Sequence, residues 1–363
     1  TLNNPEKYGY SFTGWTGTGI EDVALTVTIP AGSTGNRTYT ATYRAKGFTP
    51  TDEGLPEFAY HAPVLSGQIG IKFYAYIPEE YRNSSTCWVD FDVSGDKSSN
   101  LNPVPFDASE TITIDGDTFY TFECFINSIQ MADVIHAELH YGDGETLSHS
   151  YRAKDYLDSA ANDVALSEDL RELVKAMKDY GGYVQVPLAD YNGWTIGKDH
   201  ASMDCESECN DFAGTASGVA GHAISRDIPA NSGIGKIEYS LVLDTETRII
   251  VYLTTKAGYA GGVSANIDGT TDNYMAVKKG DRLYTIETNG IPSHELGKVH
   301  TITIGTDGGE SFAVKVSAFS YVHDVLNDAG EAENLKRAVV ALYNYCVKTI
   351  EYRRNRPSEF PQG

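Results

Sequence analysis

The sequence predicts an α+β protein in which a small strand-built module precedes two tandem copies of an antiparallel β-sheet or sandwich unit, each ending in a helix pair. Three observations predict it. Runs of alternating apolar and polar residues, the period of a half-buried strand, recur through the chain. Stretches with apolar residues at helical spacing follow them. The second half also repeats the first at a nearly constant offset.

The offset is read from named residues. Gly116-Asp117-Thr118-Phe119-Tyr120-Thr121 returns as Gly280-Asp281-Arg282-Leu283-Tyr284-Thr285. Tyr156, Asp163, Leu170, Val174, Ala176, Met177 and Tyr180 match Tyr321, Asp328, Leu335, Val339, Ala341, Leu342 and Tyr345, all in a single register only one position longer than that of the first match. Upstream, residues 71–77 correspond to 249–253. The 363 residues therefore divide into a module at 1–46, a first copy at 57–188 and a second at 189–356. Gly47, Pro50, Gly54 and Pro56 mark a linker between the first two.

The N-terminal module contains Asn4-Pro5-Glu6-Lys7-Tyr8-Gly9-Tyr10-Ser11-Phe12-Thr13-Gly14-Trp15, then Val27-Thr28-Ile29-Pro30-Ala31-Gly32, and closes with Tyr39-Thr40-Ala41-Thr42-Tyr43. Tyr10, Phe12, Val27 and Ile29 are its expected core, and Trp15 is expected to pack there rather than serve as a ligand platform. This stretch resembles the Listeria-Bacteroides repeat, a short module carried in tandem by secreted and cell-wall proteins of bacteria. The resemblance implies a β-grasp-like fold and a spacer or adhesive role at the cell surface. So short a module buries little and needs a neighbour to lean on.

In the first copy, residues 134–141 turn through Gly142-Asp143-Gly144 into 146–151, a hairpin signal. Ser167 is the expected cap of a helix whose stripe is Leu170, Leu173, Val174 and Met177. In the second copy, 299–304 turn at Asp307-Gly308-Gly309 into 312–316, and Leu335, Val339, Leu342, Tyr343 and Cys346 form the helix stripe. The nearest surface for each stripe to cover is the sheet of its own copy. Ser240-Leu241-Val242-Leu243 and the helix end Tyr343-Asn344-Tyr345 resemble a duplicated module that accompanies such repeats in secreted proteins of gut Firmicutes. That resemblance brings no catalytic activity with it.

Charge narrows the partners. There are 50 Asp and Glu against 28 Lys and Arg, a formal charge of −22, and no basic run is longer than Arg353-Arg354. Nucleic acid and anionic membrane both need clustered positive charge, so neither is expected. No stretch approaches the ~18 consecutive apolar residues of a membrane span. The start at Thr1, without a charged-then-apolar leader, is expected of a mature or truncated extracellular protein.

Cys87 and Cys124 would form a cross-strand disulfide if their strands were neighbours. Cys205 and Cys209, with His200 and Asp204, have the donors of a metal site, but the Cys-x₂-Cys knuckle and second ligand pair of a zinc loop are missing. A loop disulfide or two unrelated thiols is the plainer alternative, and Cys346 is expected in packing. No metal and no cofactor is expected.

No Gly-x-Ser-x-Gly elbow, phosphate-binding glycine loop or His-Glu-x-x-His helix occurs, so no enzyme is expected. His136 and His140 stand four apart in a strand pattern, which separates them by about 13 Å and defeats chelation. His140 could instead meet His149 across the hairpin. Asp268-Gly269-Thr270-Thr271-Asp272-Asn273 and Asp115-Gly116-Asp117 carry oxygens suited to calcium, but turn chemistry accounts for both.

One constellation suits a sugar. Alternation sends Trp88, Asp90 and Asp92 to one face of their strand, and Lys72, Tyr74 and Tyr76 to one face of theirs. Were those strands neighbours, aromatics and charges would share a surface on which sugar rings stack and hydroxyls bond. Trp194 adds a loop aromatic. The competing expectation is burial of that face, since Ile250 and Tyr252 occupy the matching positions in the second copy. The expected function is a non-catalytic spacer or adhesin module of a secreted or cell-surface bacterial protein. Its partners would be adjoining domains and a glycan or host surface protein. A carbohydrate-binding module is the alternative. A secreted hydrolase would need a site that no local motif reveals.

Overall fold

The N-terminal module is a two-stranded antiparallel sheet, β1 (Tyr10–Gly17) against β2 (Tyr39–Ala45). The computed structural model describes residues 10–20, 24–45, 48–52, 54–64, 68–93, 96–114, 117–224, 227–243, 245–269 and 276–356, with backbone alone for 10–13, 43–45 and 96–102. The expected core side chains of Tyr10 and Phe12, the motif from Asn4 to Gly9, and the Lys46-Gly47 start of the linker lie outside that description. Trp15 is 9% exposed and bridges to Ala24, and Val27 is buried. Ile29, expected beside Val27, is exposed, and neither residue lies in a strand. Gly17 is required where it stands: its φ is +136°, and a Cβ there would lie 2.1 Å from the Thr38 carbonyl oxygen.

Eight strands follow: β3 (Glu57–Val64), β4 (Gly70–Tyr76), β5 (Trp88–Val93), β6 (Asp96–Pro105), β7 (Thr111–Ile114), β8 (Asp117–Phe125), β9 (Ile135–Tyr141) and β10 (Glu145–Tyr151). They form two antiparallel sheets, ordered β3-β4-β8-β7 and β10-β9-β5-β6. The apolar half of each alternation turns inward: Ile71, Phe73 and Ala75 from one sheet, Val89, Phe91, Ala137 and Leu139 from the other, all 5% exposed or less. Phe73 and Phe91 meet across the gap at 5.4 Å. Helix α1 (Ala153–Asn162) packs beside β3, and α2 (Glu168–Asn192) follows, past the expected boundary at 188.

After a pinned loop and the short helix α3 (Phe212–Gly218) come β11 (Ile234–Leu243), β12 (Thr247–Thr255), β13 (Val263–Ile267), β14 (Val277–Lys278), β15 (Leu283–Glu287), β16 (His300–Thr306) and β17 (Phe312–Val316). Their sheets run β11-β12-β15-β14 and β13-β16-β17. This is the order of succession of the earlier pair of sheets, with no counterpart of β6 among the described residues. Helices α4 (Ala318–Asn327) and α5 (Glu333–Arg354) end the described chain, α4 packing on β11 and β12. The whole is α+β, with five antiparallel sheets and five α-helices among the described residues.

The most extensive contact of each long helix is with the other: α2 packs along α5, where Leu173, Val174, Met177, Val339, Leu342 and Cys346 are buried. Tyr180 and Tyr345 stack at 5.5 Å with their planes 14° apart, and burial raises the pKa of both phenols. The pair runs antiparallel: Arg356, just past α5, bonds Asp169 in the first turn of α2 at 2.6 Å. Ser167 stands at the N-cap as expected but makes no capping bond to the helix; its hydroxyl accepts from Arg356. A further link joins the halves, from Gln68 to Glu246, and the Arg337 guanidinium of α5 donates to the Glu208 carbonyl in the loop after α2.

Candidate functional site

The pairing of β5 with β9 builds the surface that carries Trp88. Trp88 stands opposite His140, Asp90 opposite Glu138 and Asp92 opposite His136, and all six side chains point away from the core. The indole lies flat on the His140 imidazole, centroids 4.7 Å apart and planes within 7°, and its Nε1–H donates to Asp90 at 3.3 Å. His140 Nε2 lies 2.9 Å from Asp90 and 3.2 Å from Glu138, though not in hydrogen-bonding direction. Trp88 is half-buried and its other register partner is Pro105 on β6, so the ring is engaged by its neighbours. Asp92 is exposed. His136, Glu138 and His140 were missed as members of this surface, although their period-two spacing already placed them on one face.

Tyr74 and Tyr76 do not join it. β4 pairs with β3 and β8, whereas β5 pairs with β6 and β9, so the two sets occupy the outer faces of opposite sheets. Alternation fixed which face each residue takes, but not which strands are neighbours. Tyr74 lies half-buried near Lys72, which is ion-paired with Glu123, and burial raises its pKa. Tyr76 packs against Phe48 at 5.9 Å, and Phe48 also meets Tyr60 and the fully buried Phe119. A residue of the expected linker thus covers that sheet. In the second half the matching Ile250 and Tyr252 are half-buried.

Trp194 lies beyond α2, 37% exposed, with its ring edge-on to His200 at 4.7 Å. His200 is 4% exposed and bonds Asp133 at 2.6 Å, while the Ala201 N–H donates to the other oxygen of Asp133. Asp179 and Gln185 on α2 bind the same loop through Glu206, Ser207, Ala201 and Met203. Each of these buried acceptors is satisfied by the loop, which explains why a polar segment lies so close to the core.

The condition for a Cys87–Cys124 disulfide is not met: Cys87, just before β5, and Cys124, on β8 of the opposite sheet, are free and buried, with burial pushing their thiols up to about 11 and about 12. Cys205 and Cys209 are free as well. Among the described residues no three His, Cys, Asp or Glu side chains are placed to hold a metal ion. His149 faces inward opposite Ala137 while His140 faces outward opposite Thr146, so those two histidines do not meet. Asp268 bonds His300 Nδ1 with one carboxylate oxygen and accepts from the Thr301 N–H with the other; residues 270–273 of that stretch, and 115–116 of the other, lie outside the described residues. No helix is long and apolar enough to cross a membrane, among the described residues.

The six sequence-selected residues therefore occupy three separate places: Trp88, Asp90 and Asp92 on the outer face of β5, Tyr74 and Tyr76 on that of β4, and Trp194 beyond α2. Comparison with family models, with curated proteins and with solved structures found no match to this chain.

Proposed function

We propose that the chain is a non-catalytic spacer or adhesin module of an extracellular bacterial surface protein, formed by a tandem duplication locked into one rigid body. The observation that carries this reading is the contact between Tyr180 and Tyr345. These two tyrosines are equivalent under the offset of the sequence repeat, so the same position of each copy meets its counterpart. That is the self-complementary contact of a two-fold interface, enclosed within one chain. The shared strand order of the two halves supports the duplication, and the sequence resemblance of residues 1–46 supports the surface setting and the β-grasp-like outline. Adjoining domains of a longer protein and host surface proteins are the partners this reading implies.

Carbohydrate recognition is the second reading, favoured by the indole, carboxylates and imidazoles gathered on the outer face of β5 and β9. One experiment separates the two: a glycan array and polysaccharide pull-down with the intact protein and with Trp88→Ala. The spacer reading expects no glycan to be retained. Retention that disappears in a folded Trp88→Ala protein replaces it with carbohydrate recognition on the first copy.

A further inference from the structure

β7 and β8 are unequal partners. β7 has four residues and β8 nine, and their pairing runs from Ile114 opposite Asp117 to Thr111 opposite Tyr120. The last bond along that line goes from the Thr121 N–H to the Glu110 carbonyl. There the chain leaves the edge, through a turn in which the Asp107 carboxylate accepts from the N–H and the hydroxyl of Ser109. On its other side β8 pairs with β4 as far as Gly70 opposite Phe125, and the Ile126 N–H bonds the Ile69 carbonyl. Backbone groups alternate sides along a strand, so Phe122, Cys124 and Ile126 turn theirs to β4, while Thr121, Glu123 and Phe125 turn theirs to the outer edge. Thr121 is served by Glu110. The outward N–H and C=O groups of Glu123 and Phe125 meet no hydrogen-bond partner among the described residues.

A recess of about 390 Å³ opens beside this stretch. Phe91 and Val104 of the opposite sheet and Cys124 and Phe125 of β8 supply its apolar walls, and Glu110 and Glu123 are its charged groups. Phe106 packs on Tyr120 at 4.7 Å and closes the gap between the sheets one step earlier along β8. The chemistry of an occupant follows. A strand edge is completed by extended backbone, whose own N–H and C=O groups repeat at the spacing of Glu123 and Phe125. Aligned antiparallel, as β7 is, an added strand exchanges bonds with those two through two of its residues, and the residue between them stands opposite Cys124. Cross-strand partners share a face, so this middle side chain points into the recess toward Phe91 and Val104 and must be apolar. Its neighbours lie on the outer face, one beside Phe125 and the next beside Glu123 and Glu110. Lys72 pairs with Glu123, so two carboxylates stand against one ammonium, in a chain of net charge −22. A basic side chain suits that last position.

We infer that the outer edge of β8 takes up an extended peptide in antiparallel register, reading an apolar-apolar-basic triplet whose middle residue fills the recess. Neither the spacer reading nor Trp88 enters into it. The probe is the peptide acetyl-Ser-Thr-Phe-Leu-Lys-amide, titrated into the intact, isotopically labelled protein and followed through backbone amide resonances. It is expected to bind with a Kd of about 0.1–1 mM and to shift Glu123 and Phe125 most. N-methylation of its Phe and Lys, whose N–H groups face β8, should weaken binding about tenfold or more; N-methylation of its Leu, whose N–H faces away, should change it less than about twofold. Replacing that Leu with Asp should abolish binding. Glu110→Lys alters an exposed side chain and so keeps the fold, and should weaken binding about threefold. No binding at about 5 mM peptide overturns the inference, as do equal losses from the two N-methylations, shifts confined to other strands, or a dimer of the protein that buries this edge and excludes the peptide.

Discussion

His61 on β3 and His149 on β10 face each other in the gap between the two sheets of the first half, with ring centroids 5.8 Å apart. Tyr151 lies 3.5 Å from His61, and Phe58 and Phe73 flank His149. Burial, then the charge of His149, lowers the His61 pKa to about 4 against the opposing pull of Asp155; burial lowers that of His149 too. A histidine whose folded pKa is depressed must be neutral for the fold to hold it. Its contribution is complete above the unfolded value near 6.5 and disappears as pH falls toward 4. Thermal melts should therefore show the melting temperature dropping between pH 6.5 and 4. His61→Phe, which keeps a ring between Tyr151 and His149, should flatten that drop by about 1–2 kcal/mol, a figure reduced from the full shift because the ring is only half-buried. An unchanged pH profile in the variant would show that protonation of His61 does not oppose folding.

At the scale of elements, the polar segment from Trp194 to Asp211 is held by acceptors that belong to other elements. Asp133, from the turn before β9, bonds both His200 and Ala201, and its carboxylate is buried. Asp133→Ala should cost about 3 kcal/mol, because the buried His200 ring and the Ala201 N–H lose their acceptor together. Hydrogen exchange should speed up at residues 195–207 while β9 and β10 keep their protection; uniform exchange across the first half would contradict this local role. These long-range bonds explain how the sequence reads. Alternation found both hairpins, and apolar spacing found α2 and α5, because both signals are local. The sequence also placed Trp88 and Asp90 correctly on one face. It could not show that β4 and β5 belong to different sheets, since period two carries no information about neighbours. Likewise the stripes of α2 and α5 announced burial without naming each other as partners. The acceptors that meet His200 and His300 come from elsewhere in the chain, so neither pair was visible as a motif.

For the whole molecule, the antiparallel pair α2 and α5 makes one body of the two halves. The buried core continues from the strands of the first half through these helices to those of the second. Heat or denaturant should unfold both halves in one transition, reported alike by probes in β9 and in β16. Tyr345→Ala removes a 5%-exposed ring at the centre of the contact and should cost about 4 kcal/mol. The same change should split the transition in two, with the halves melting at different temperatures. If the variant melts later or earlier but still in one step, the helix contact is not what couples them.

The bond from Arg356 to Asp169 gives this arrangement a mechanical side. Arg356 also donates to Ser167, so the end of α5 is tied to two residues at the start of α2, while its guanidinium lies over the ring of Tyr352 in α5 itself at 3.9 Å. A pull arriving at residue 356 from the C-terminal direction meets that clasp before it reaches the helix hydrogen bonds of α5. Load passes straight into the first turn of α2, and so into the first half, without having to travel through the sheets of the second. The second half can then keep its shape while tension crosses the molecule.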